Sequence, residues 1–88
     1  MFKLTLTCSG VPEHVGRQAA LDITEEFKSR PWHHDVICSW DGELLVLEAV
    51  NDFDADSLAL CDEFSDAISA CIQEGFDGDI TILSVISL

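Results

Sequence analysis

The stretch that decides the fold is "HHDVICSWDGELLVLEAV", residues 33–50. Apolar and polar side chains alternate on both sides of Asp41-Gly42, and a period of two is typical of β-strands. An Asp-Gly pair between two such runs predicts a β-hairpin with a two-residue turn. That turn would place Cys38 opposite Leu45, and it thereby determines which side chains face the core.

The two faces of this hairpin follow from the predicted register. A slip of one residue would exchange them, so their assignment depends on the turn. The predicted core face consists of Val36, Cys38, Trp40, Leu45, Leu47 and Ala49. The predicted open face consists of Asp35, Ile37, Ser39, Leu44, Val46 and Glu48.

The segments on either side of the hairpin complete a β-α-β-β-α-β order. Residues 2–8, "FKLTLTC", alternate strictly and predict a half-buried first strand. Apolar residues at helical spacing predict one helix over about 12–30 and a second over about 54–74. "ITILSVISL", residues 80–88, predicts the last strand.

This order predicts an α+β fold. With right-handed crossovers it closes most simply as a ferredoxin-like two-layer sandwich, with an antiparallel sheet of order 4-1-3-2 and both helices on one face. A chain of 88 residues is expected to form a single domain, residues 1–88. Because many unrelated functions occur on this fold, the fold alone predicts none of them.

Charge is the most unusual property of the chain. Seventeen acidic residues against four basic ones give a net charge of −13, and no Lys or Arg occurs after residue 30. Such a surface repels phosphate backbones and anionic lipid, so we expect neither nucleic acid nor membrane as a partner. No apolar run approaches the ~20 residues that cross a bilayer, and the N-terminus has no secretory pattern. We therefore expect a cytoplasmic protein.

The most acidic stretch is "NDFDADSLALCDEF", residues 51–64. Its spacing matches positions 1, 3, 5 and 12 of a calcium-binding loop, which needs hard oxygen ligands. Those positions would be filled by Asp52, Asp54, Asp56 and Glu63. However, Ser57 stands where such a loop needs glycine. We therefore expect Asp54 or Asp56 to cap the second helix, with weak calcium binding as the alternative.

Other metal or catalytic sites are not predicted. "TCSGV", residues 7–11, resembles in outline the strand-end loop of copper-carrying heavy-metal-associated domains, but Val11 stands where that site needs a second cysteine. His33 and His34 are adjacent in a predicted strand and point to opposite sides, so they are not expected to ligate one metal together; we expect ordinary surface or edge-strand histidines. The four cysteines form no C-x-x-C pair and are expected to be buried, reduced thiols. We expect no cofactor and no enzymatic activity.

Two functions are consistent with this pattern. The first is a protein-interaction domain that binds a basic protein, as immunity proteins and small inhibitors do. Its predicted contact residues are Asp52, Asp54, Asp56, Asp62, Glu63 and Asp66. The second is a homodimeric regulatory or small-ligand domain that associates through the open sheet face. Its predicted contact residues are Thr5, Thr7, Ile37, Leu44, Val46, Leu83 and Val85.

Overall fold

The computed structural model describes all 88 residues, with two helices and a four-stranded antiparallel sheet. The strands are β1 (Phe2–Cys8), β2 (His34–Trp40), β3 (Leu45–Asn51) and β4 (Ile80–Ser87). The helices are α1 (Glu13–Glu26), followed by a 3-10 turn at Phe27–Ser29, and α2 (Leu58–Cys71). The strand order β2-β3-β1-β4 is the predicted 4-1-3-2 order read from the opposite edge, and that prediction is confirmed.

Both helices are shorter than their apolar patterns predict. α1 tightens into the 3-10 turn, which is closed by a hydrogen bond from Arg30 N–H to the Phe27 carbonyl (3.0 Å). α2 begins at Leu58 because the residues before it form a turn, in which Ser57 N–H donates to the Asp54 carbonyl (3.1 Å). Ser57 itself has a positive φ of 63°, which a right-handed helix cannot contain. With 14 residues each, the two helices fall short of a bilayer-crossing segment.

The hairpin register differs from the prediction by two residues. Cys38 pairs with Leu47, and the loop spans four residues rather than two. The side chain of Asp41 explains the longer loop, because its Oδ1 accepts the backbone N–H groups of Glu43 (2.8 Å) and Leu44 (2.6 Å). The predicted two-residue turn is therefore wrong. A shift of two leaves every side chain on its original face, so the predicted core face is confirmed.

The core lies between one face of the sheet and the two helices. It is a single cluster of 17 buried hydrophobic residues. The sheet contributes Leu4, Leu6, Cys8, Cys38, Leu45, Leu47 and Ala49, and the helices contribute Ala19, Ala20, Ile23, Leu60, Phe64, Ala67 and Ile68. α1 crosses β2 very closely, since a Cβ on Gly16 would lie 2.4 Å from ring atoms of Trp40.

β4 carries a one-residue bulge at Leu83, where its pairing with β1 shifts. An extra residue reverses the facing of every side chain that follows it in the strand. Val85 therefore pairs with Leu4, whose side chain is buried in the core. The side chain of Val85 lies on the same side of the sheet and faces the helix layer. The predicted position of Val85 on the open face is wrong, because strict alternation along β4 assumed no bulge.

Candidate functional site

A buried polar network joins the segment before β2 to the end of β3 and to α2. His33 Nε2 lies 2.6 Å from Glu63 Oε2, and His33 Nδ1 lies 3.2 Å from Asn51 Nδ2. The side chains of His33 and Asn51 are fully buried, and that of Glu63 is 20% exposed. The predicted surface position of His33 is therefore wrong. Its polar nitrogens are both paired, which removes the penalty for burying them.

The network fixes the tautomer of His33. Asn51 Oδ1 accepts the backbone N–H groups of Phe53 (3.3 Å) and Asp54 (3.0 Å), and these two bonds orient the amide. Asn51 Nδ2 therefore faces His33 and donates to Nδ1, which must be an acceptor. The ring proton then lies on Nε2 and is donated to Glu63. In this series of hydrogen bonds, from the Asn51 amide through His33 to the Glu63 carboxylate, every donor faces an acceptor.

Glu63 also holds the segment that precedes His33. Its Oε1 accepts the indole N–H of Trp32 (3.0 Å) and lies 3.4 Å from Arg30 Nε. Arg30 is fixed in turn by the carbonyl of Glu26 (3.0 Å) and stacks over the ring of Phe27 at 5.0 Å. The guanidinium, which also lies 3.7 Å from Glu26 Oε1, supplies a positive charge beside the partly buried carboxylate of Glu63. The indole ring is thus held in one orientation at the surface.

Two exposed aromatic side chains stand over this network. Trp32 is 47% exposed and Phe53 is 51% exposed, and their ring centroids lie 6.1 Å and 5.9 Å from that of His33. Exposed aromatic side chains that are held rigidly are typical anchors of protein interfaces. Four exposed carboxylates lie on the same parts of the chain. Asp52 and Asp56 are in the segment that contains Phe53, and Asp62 and Asp66 are on α2, which carries Glu63. These six residues are called the Trp32–Phe53 surface below.

Three of the six acids predicted as partner contacts accept hydrogen bonds within the protein, namely Asp54, Asp56 and Glu63. Asp56 is exposed, and its Oδ1 accepts the backbone N–H of Leu58 (3.1 Å). Asp54 is 4% exposed, and its two oxygens accept the backbone N–H groups of Ala59 (3.1 Å) and Leu60 (2.9 Å). The predicted capping of α2 is confirmed, because these N–H groups have no partner within the helix. Glu63 belongs to the buried network. No group of three or more His, Cys, Asp or Glu side chains has the arrangement of a metal site.

The structure brings only some of the residues predicted for the open face together, since Thr7 pairs directly with Val46 but the larger apolar side chains are far apart. Ile37 and Leu83 are both well exposed, but they lie on β2 and β4, the opposite edges of the sheet. The strands between them carry an ion pair between Lys3 and Glu48 (4.0 Å). Leu44 lies in the hairpin loop. Thr5, Thr7 and Val46 are half-buried on the two central strands, and Val85 faces the helix layer.

The cysteines are poorly suited to nucleophilic chemistry. Burial, with a further contribution from the charge of Asp79, raises the pKa of Cys8 to about 11. Burial raises the pKa of Cys38 to about 12. A thiol must ionise before it can attack, so both are inert near neutral pH. His14 pairs with Glu74 (3.1 Å) beside a groove of about 380 Å³ between the start of α1 and the residues after α2.

Comparisons with protein-family models, with curated proteins and with solved structures found no match to this chain. The site therefore rests on its geometry. The sequence does contain one signal for it: His33 precedes one strand of the hairpin, and Asn51 ends the other. Since the start of one antiparallel strand lies beside the end of its neighbour, two polar residues there are close enough to pair.

Proposed function

We propose that this chain is a non-enzymatic interaction domain with a ferredoxin-like fold, and that it binds a basic protein through the Trp32–Phe53 surface. The β-α-β-β-α-β order and the sheet order support the fold assignment. The observation that carries the function is a pair of half-exposed aromatic rings above a buried hydrogen-bond network, together with exposed carboxylates in residues 52–56 and on α2 that pair with no cation of this chain.

Charge supports a basic partner. None of the four exposed acids of the Trp32–Phe53 surface lies within 4.0 Å of a cation of this chain. Three of the four basic residues are already paired with glutamates: Lys3, Lys28 and Arg30. The surface therefore keeps its negative potential, which attracts positively charged groups and accelerates their association.

The aromatic rings supply the contact area that carboxylates cannot. A guanidinium can stack on the face of Trp32 and pair with a neighbouring carboxylate, which combines cation–π and ionic attraction. Because the indole N–H is already bonded to Glu63, little side-chain freedom is lost on binding. Phe53 offers a second ring on the other side of His33. We expect Arg residues of the partner at this position.

α2 extends the surface along one helical stripe. Leu58, Asp62 and Asp66 are spaced four residues apart and therefore share a face of the helix. Leu58 is 59% exposed and adds a third apolar group beside the acids. A partner surface with interspersed Arg and aliphatic side chains complements this arrangement of apolar anchors and a charged rim.

Site-specific photo-crosslinking tests this function. A photoreactive amino acid at Phe53, in an extract of the native cells, is expected to capture a protein through an Arg- or Lys-rich segment. The yield is expected to fall when the salt concentration is raised to ~0.5 M, since screening weakens surface charge attraction. The double substitution Asp62→Lys with Asp66→Lys is expected to abolish it.

The matched control places the same crosslinker at Leu21, which is 60% exposed on α1. Capture of the same proteins from both positions would contradict the proposal. A yield at Phe53 that neither salt nor charge reversal changes would contradict it as well, because the acids would then have no part in binding.

A further inference from the structure

β4 presents an apolar free edge that nothing in the fold covers. Ile82 and Val85 face the helix layer, yet they are 37% and 36% exposed, so α1 and α2 do not shield this side of the strand. Leu83, Ile86 and Leu88 are exposed still further. Together these side chains expose on the order of a few hundred Å², which is the size of apolar patch that marks an association site.

The backbone of β4 offers unpaired peptide groups along the same edge. The N–H of Leu88 donates to the carbonyl of Met1 (2.8 Å), so the peptide groups of Leu88 point towards β1. In an antiparallel strand, successive residues direct their N–H and C=O groups alternately to the two sides. The groups of Val85 and Ser87 therefore point away from β1, to the side where no strand follows.

The other edge of the sheet is protected in a way that β4 is not. In β2, Asp35 has a positive φ of 51°, and pairing with β3 is interrupted between His34 and Ile37. A local kink and an inserted charge are devices that prevent another strand from adding to an edge. β4 has only the bulge at Leu83, and the stretch that follows the bulge is regular.

We propose that β4 pairs with β4 of a second copy, antiparallel and about a two-fold axis, so that two sheets join into one of eight strands. With the axis at Ile86, Val85 of one copy exchanges both backbone hydrogen bonds with Ser87 of the other, and the reverse pair does the same. The side chains of Ile86 meet across the axis. Residues 84–88 of the two copies then oppose each other, and the exposed helix-layer side of Val85 packs against Ser87 of the second copy.

The charge distribution favours a second copy as the occupant. Each copy carries a net charge of −13, so contact between most parts of the two surfaces is repulsive. Residues 80–88 carry no charged side chain, and opposing two such strands brings no acid against another. The association is independent of the Trp32–Phe53 surface. It is expected to persist or strengthen at high salt, in contrast to the binding of a basic partner.

Sedimentation equilibrium of the full chain and four variants tests this assembly. Val85→Pro removes the outward N–H without breaking the pairing with β1, and it is expected to raise the dimer dissociation constant by about 30-fold or more. Val85→Thr keeps that N–H and is expected to remain dimeric. Ile86→Lys places two ammonium groups at the axis and is expected to give a monomer. Val46→Lys changes the centre of the open face and is expected to leave the dimer intact.

Several results would overturn the assembly. These are a monomeric parent chain at ~100 μM in high salt, a dimer that survives both Val85→Pro and Ile86→Lys, and a dimer lost with Val46→Lys. The last result would indicate stacking of sheet faces. Circular dichroism of each variant establishes that it is folded. If Val85→Pro does not fold, Ile86→Lys decides the outcome.

Discussion

Replacing Glu63 with alanine is expected to destabilise the protein by about 2–3 kcal/mol. The largest part of this loss arises at His33, whose side chain is fully buried. Its Nε2 lies 2.6 Å from the Glu63 carboxylate, which is the only partner of that nitrogen. An unpaired buried donor costs about 1–3 kcal/mol. The indole N–H of Trp32 can turn to water and adds little. Arg30 keeps its hydrogen bond to the Glu26 carbonyl. Its ion pair with Glu63 is partly exposed, so the loss of that pair also adds little to the destabilisation.

Urea denaturation measures this loss, and thermal unfolding is expected to show it as a decrease of about 10–20 °C in Tm. Asp62→Ala is the matched control, because Asp62 is the exposed neighbour of Glu63 and forms no hydrogen bond or ion pair; a change within about 0.5 kcal/mol is expected. Glu63→Gln keeps an acceptor for His33 and should lose about 1 kcal/mol. If Glu63→Ala and Asp62→Ala had equal effects, the network would not stabilise the fold as described.

Three further variants test single features of the fold. Ser57→Gly should stabilise by about 1 kcal/mol in urea denaturation, because glycine tolerates the φ of 63° and removes a buried hydroxyl without a partner; a loss would contradict this. Gly16→Ala should destabilise by about 1 kcal/mol despite its higher helix propensity, since the new methyl would meet Trp40 at 2.4 Å; unchanged Tm and Trp fluorescence would refute the contact. The backbone N–H groups of Leu44 and Glu43 hold the pKa of Asp41 below its usual 3.8. The contribution of the Asp41 carboxylate to folding stability is therefore present above pH ~4 and lost as the pH falls through the lowered pKa. The stability difference between the parent and Asp41→Asn should shrink in acid, and a constant difference would contradict this.

The faces of the two hairpin strands could be predicted from the sequence, but the register of the hairpin and the facing of β4 after Leu83 could not. Alternation on both sides of Asp41 depends only on whether a side chain is apolar, and it survives a shift of two residues. The loop length depends on whether the Asp41 carboxylate turns back onto the two N–H groups that follow, and Asp-Gly is compatible with either result. The bulge at Leu83 has no signal in the sequence, because leucine, serine and valine are compatible with either face of an exposed edge strand.

The candidate site was only partly predictable. The acidic composition and the capping by Asp54 follow from residue type and from position before an apolar helical pattern. The network required knowledge of which strand ends meet, since His33 and Asn51 are 18 positions apart and reach Glu63 only after α2 packs against the sheet. An exposed Phe53 likewise has no local signature. Its exposure depends on the turn that its own N–H forms with Asn51.

Nitrogen-15 NMR of the His33 imidazole tests the central claim most directly. The two backbone bonds of Asn51 Oδ1 orient its amide, so Nδ1 must accept and Nε2 must carry the proton given to Glu63. We predict one neutral tautomer, with a proton on Nε2 in slow exchange with water and a scalar coupling from the Asn51 side-chain amide to Nδ1. A proton on Nδ1, or rapid averaging between the two nitrogens, would show that this network does not hold Trp32 and Phe53 at the surface.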